Sequence, residues 1–118
     1  MAGDANAFRK ASIELLRQEI DALRRTLGLV VKSTRAYKSP GRPDGRRQTQ
    51  VAGVVGISQP RVSQFENGSI GLSNADLRNL LRECGFDITA PGGRALEAVI
   101  RAVRDHEAGI DVLLEEAP

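Results

Sequence analysis

No tryptophan, one tyrosine and three phenylalanines stand among the 118 residues, which leaves any core to Leu, Val, Ile and Ala. Such side chains suit close-packed helices better than an aromatic-rich β-sandwich, so the expected fold class is all-α. The single cysteine, Cys84, cannot close an internal disulfide, and nothing argues for an oxidising compartment. The single histidine, His106, has no companion at metal-ligand spacing, and neither a phosphate-binding glycine loop nor paired catalytic carboxylates occur. The chain is therefore expected to be no enzyme and to use no metal and no cofactor. Its longest apolar run, Leu29 to Val31, is far too short to cross a bilayer, and the first residues lack the apolar stretch of a signal peptide. A cytoplasmic location without a membrane role is expected. The length suits one domain and excludes a large multidomain enzyme.

The net charge is only +2, but it is unevenly distributed. Residues 32–47 hold Lys32, Arg35, Lys38, Arg42, Arg46 and Arg47 against Asp44 alone, and the last fourteen residues carry Asp105, Glu107, Asp111, Glu115 and Glu116. A basic block beside a neutral body, with an acidic tail kept away from it, is the footprint of a polyanionic partner.

Four regions follow along the chain. In 1–38 the apolar residues Ile13, Leu16, Ile20, Leu23, Leu27 and Val30 alternate spacings of three and four, the seam of a packed amphipathic helix. Gly28 weakens that helix, and whether it continues through Val31 and Arg35 or restarts is open. Region 39–47 contains SPGRPDG, a loop by its two Pro and two Gly. Region 48–90 reads as a helix at Gln48–Val55, a tight connection, a second helix at Gln59–Asn67, and a third that Ser73 or Asn74 caps and Gly85 ends. Phe86 to Ala90 reads as short and extended. In 91–118 a break at Pro91–Gly93 precedes a helix bearing Leu96, Val99, Ile100 and Val103, expected to reach about His106, with a further turn over Ile110–Leu114.

The stretch QTQVAGVVGISQPRVSQFENG, residues 48–68, brings two short helices into a steep crossing through three residues. Such a crossing needs a small residue where the helices touch, supplied by Ala52, and a left-handed turn residue, supplied by Gly56. On the second helix, at about 100° per residue, Val62 and Phe65 share one face. Gln59, Pro60, Ser63, Gln64 and Asn67 fall on the other. Glutamine amides can pair bidentately with adenine N6 and N7 in a major groove, so this outer face is suited to base contact.

The segment Gln48–Gly68 resembles the Xre family, which includes phage repressors and Cro proteins with the lambda-repressor-like fold; a looser resemblance continues from Ser73 to Gly85. It implies a helix-turn-helix domain, here with N-terminal and C-terminal helical extensions. It implies further that Gln48 contacts a phosphate, that Gln59, Pro60 and Gln64 face bases, and that Asn67 binds phosphate. Glu66 would pair with an upstream arginine, Arg35 first, with Arg24 or Arg25 as alternatives. The expected base contacts are Gln59, Pro60, Ser63 and Gln64, and the expected phosphate contacts are Gln48, Arg46, Arg47, Arg61 and Asn67. Two departures stand out: the SPGRPDG loop intervenes before Gln48, and the N-terminal seam begins earlier than the family core requires.

The expected partner is double-stranded DNA, bound by a homodimer acting as a repressor on a pseudo-palindromic operator, with either terminal helix available for the two-fold contact. One alternative is the antitoxin of a two-gene module, which would also hold a toxin protein. Another is a protein-interaction module that binds no DNA.

Overall fold

The computed structural model describes residues 2–36, 45–85 and 91–115, and these form five helices: α1 (Ala2–Ala36), α2 (Gln48–Val55), α3 (Gln59–Glu66), α4 (Asn74–Glu83) and α5 (Pro91–Glu115). The architecture is all-helical. The segment 37–44, with most of the basic loop and Arg42, lies outside the described residues, as does the short extended stretch read at Phe86–Ala90.

The N-terminal seam folds as one uninterrupted helix. Ile13, Ile20 and Leu27 recur every seven residues and are buried, and Val31 is completely enclosed, whereas its neighbour Val30 is only partly covered. Gly28 does not break the helix because its role is steric. A Cβ there would stand 2.6 Å from the carbonyl oxygen of Glu66 and 2.9 Å from its carbon, so only glycine lets α3 end against α1.

The final helix is longer than its sequence signals suggest at both ends. Pro91, read as part of a break, opens α5 instead, which suits a residue that has no N–H to leave unpaired in a first turn. Beyond His106 the helix runs to Glu115, because α5 lies antiparallel along α1 and finds partners there. A Cβ added at Gly109 would lie 3.6 Å from Leu16, His106 is 3.2 Å from Glu19, and Glu107 accepts from Arg24 at 2.9 Å.

One core draws on all five helices: Ile20, Leu27 and Val31 from α1, Val51 and Ala52 from α2, Val62 and Phe65 from α3, Leu77, Leu80 and Leu81 from α4, and Leu96, Ile100 and Val103 from α5. Cys84, at the end of α4, is buried in the same cluster as a small filler. Among the described residues no helix is long and apolar enough to cross a membrane.

Candidate nucleic-acid interface

The turn between α2 and α3 is built as its residues require. Gly56 caps α2 at φ 84°, a left-handed conformation that a side chain would strain, and its N–H donates to the carbonyl of Ala52 at 2.9 Å. Ala52 is buried at the crossing. The hydroxyl of Ser58 then accepts from the N–H of Arg61 at 3.3 Å, and Pro60 occupies the first turn of α3 without costing a bond.

Helix α3 has two unlike sides. Val62 and Phe65 are completely enclosed, while Pro60, Arg61, Gln64 and Asn67 are exposed and Gln59 and Ser63 are half-buried. The residues expected to read bases thus lie together on the outward side of one eight-residue helix. Thr49, Gln50 and Arg47, at the start of α2, are exposed beside them.

Below this surface runs a continuous polar relay. Gln59 Nε2 donates to Gln48 Oε1 at 2.6 Å, and Gln48 Nε2 donates to Glu66 Oε1 at 3.1 Å. Glu66, only 4 % exposed, receives both Nε and Nη2 of Arg35 at 2.8 Å in a two-pronged pair. Arg35 also donates Nη1 to the carbonyl of Arg46 at 2.8 Å, while its own carbonyl accepts from the Arg46 N–H at 2.7 Å. Hydrogen bonding to Glu66 raises the guanidinium of Arg35 above its ordinary value, against the opposing effect of burial, so Arg35 stays charged. Among the described residues no buried side-chain nitrogen or oxygen lacks a partner, so the relay carries no uncompensated polar atom.

The relay leaves the glutamines equipped for contact. A carboxamide has two N–H donors and two acceptor lone pairs. Gln59 uses one donor on Gln48, which leaves a donor and the carbonyl oxygen that bidentate pairing with adenine needs. Gln48 retains a second N–H beyond the one it gives Glu66.

Arg35 is the partner of Glu66, ahead of Arg24, which reaches Glu107, and of Arg25, which stays exposed beside Gly68. Arg46 is already engaged: its Nη1 donates to the carboxylate of Glu83 at 2.9 Å and to the Glu83 carbonyl at 3.2 Å, tying the end of the basic loop to α4. Arg47 and Arg61 are solvent-exposed. The Gln48–Gln59 pair, the Arg46–Glu83 pair and the close approach at Gly28 went unread in the sequence. Only Gly28 left a signal there, as a glycine inside a strong helical pattern. Among the described residues no group of three or more His, Cys, Asp or Glu could hold a metal ion.

A glycine-capped helix, a three-residue turn and a second helix with an apolar underside and a polar outer face define a helix-turn-helix protein. The model of the family described as "Helix-turn-helix domain" matches residues 14–90, and the chain belongs to that family. The match begins inside α1, so the family's domain takes in most of the helix that the sequence pattern sets apart as residues 1–38. Searches of the curated proteins and of the solved structures find no significant match.

Proposed function

We propose that the protein is a sequence-specific DNA-binding regulator of the Xre and Cro kind, and that it represses transcription by binding a two-fold-symmetric operator as a dimer. The observation that carries this reading is the outward, polar side of α3. Its side chains stand free of the core while Val62 and Phe65 hold the helix from beneath. A helix presented in this way can enter a major groove and meet base edges.

The roles divide by chemistry. Gln59, Pro60, Ser63 and Gln64 meet bases, the two glutamines through their amides and Pro60 through apolar contact. Gln48, Arg47, Arg61 and Asn67 meet phosphates and set register. Arg46 is the weakest of the expected phosphate contacts, since it would first have to leave Glu83. Ala52, Gly56 and Glu66 hold the geometry of the turn and do not touch the duplex.

Two substitutions test this division. Gln64→Ala should relax base preference at one position of the bound site by about 1–3 kcal/mol. Arg47→Ala should weaken binding to all sequences alike and reduce the steepness of its salt dependence. Equal loss on every sequence for Gln64→Ala would refute the role assigned to it.

A further inference from the structure

The outer surface of α1 carries large apolar side chains that no part of the described chain covers. Phe8 is 73 % exposed, Leu15 61 % and Leu29 59 %, and Ala22 between them is exposed as well. The four stand seven residues apart in an unbroken series. At about 100° per residue they fall within roughly 60° of one another, on the side of α1 opposite the buried series Ile13, Ile20 and Leu27. A helix that is apolar along two opposed stripes is built to be covered from both sides.

The shape of this surface indicates another helix. A hollow of about 410 Å³ on it is lined by Leu15, Gln18, Glu19, Ala22 and Leu23. The first four of these are positions i, i+3, i+4 and i+7, the four-residue hole that receives one side chain from a facing helix in a coiled coil. Charge indicates which helix and in which direction. On this outer half of α1 the charged residues that flank the stripe are Asp4 and Glu19 toward the start and Arg25 and Lys32 toward the end. Parallel copies would set like charges side by side, whereas antiparallel copies oppose unlike ones.

We propose that a second copy of this chain docks antiparallel along the outer face of α1, Leu15 of each copy entering the hollow at the partner's Ala22 and Phe8 meeting the partner's Leu29. The two-fold axis passes between Gln18 and Glu19. This deepens the reading as a DNA-binding dimer by naming its interface, and it fits that reading in two ways. The two Gly28 positions, where α3 meets α1, come about 28 Å apart along the helix axis at 1.5 Å per residue, close to the roughly 34 Å between successive major grooves. The contact with α3 also lies about a quarter-turn around α1 from the apolar stripe, so the two-fold axis keeps both α3 helices on one side of the dimer.

Sedimentation of the full chain tests the interface. The wild type should be a dimer, and Leu15→Glu should be a monomer with unchanged helical circular dichroism, since Leu15 is exposed in the single chain. Under oxidation Gln18→Cys should form a covalent dimer, and Arg17→Cys, on the opposite side of α1, should not. A monomeric wild type, or a Leu15→Glu variant that remains a dimer, overturns the proposal. Phe8→Cys linking to itself as readily as Gln18→Cys overturns the antiparallel arrangement. Leu15→Glu should also lose at least about a hundredfold in affinity for a duplex with two half-sites while keeping its affinity for one. If instead the dimer forms as described and neither protein binds any duplex, the interface stands and the DNA reading falls.

Discussion

Glu66 is the residue on which the geometry of α3 turns. Its carboxylate is enclosed, holds Arg35 by two bonds, and accepts from the glutamine that in turn positions Gln59. Glu66→Ala would strand a guanidinium and an amide in the interior, and removing one member of such a buried pair costs about 3–5 kcal/mol. Chemical denaturation should register that loss. Glu66→Gln should cost less, because an acceptor for Gln48 remains. The guanidinium of Arg35 is pushed above its ordinary value by its hydrogen bond to Glu66, so its charge, and the share of stability that rests on that charge, fades only as pH rises through the raised value and is untouched near neutrality.

Gly28 gives a prediction of opposite sign to intuition. In an open helix Gly→Ala adds about 1 kcal/mol of stability. Here the added methyl would meet the backbone of Phe65 and Glu66, which cannot swing aside as a flexible side chain can. Overpacking of that kind costs about 1–3 kcal/mol, so Gly28→Ala should lower the melting temperature and displace α3. A higher melting temperature would mean that α3 is not seated against α1.

At the scale of elements, α4 and α5 are joined by Arg78 and Glu97, whose carboxylate accepts Nη1 at 2.8 Å with Nη2 on its other oxygen. The hydrogen bond from Arg78, reinforced by the charges of Arg78, Arg101 and Arg104, holds Glu97 below its ordinary value of 4.5. A depressed carboxylate stabilises the folded state above its unfolded value, and that share is lost as pH falls through the folded one. Thermal melts should therefore show an acid-side loss, setting in below about pH 4.5, that Glu97→Gln reduces. The pair is partly exposed, so the effect should be modest and should shrink with added salt.

The same scale shows why some elements were legible in the sequence and others were not. Helix α2 spans the Gln48–Val55 of the sequence reading because Gly56 imposes its end locally. Helix α3 stops at Glu66, one residue short of the expected Asn67. The C-terminal reach of α5 was not legible because it depends on α1, more than eighty residues away in the chain, where Glu19 and Arg24 pair with His106 and Glu107; its start was missed because Pro91 signals a break as readily as a first helical turn. The outward face of α3 was legible from rotation alone, since Val62 and Phe65 mark its underside. The Gln48–Gln59 contact was not, because it crosses a turn whose dihedral angles set which side chains meet.

For the whole molecule, one core joins five helices, and a polar relay links its interior to the surface of α3. The elongated form, 64 × 30 × 19 Å, follows from α1, whose 35 residues extend about 52 Å at 1.5 Å per residue. That length offers a second copy a surface apart from the outward face of α3.

Selection of bound duplexes from a random pool, using the full chain at low and at physiological salt, tests the account most directly. The enriched sequences should share a two-fold motif with half-sites about one helical turn apart, and their affinity should fall steeply as salt is raised. A pool that emerges unenriched, with retention indifferent to salt, would contradict it.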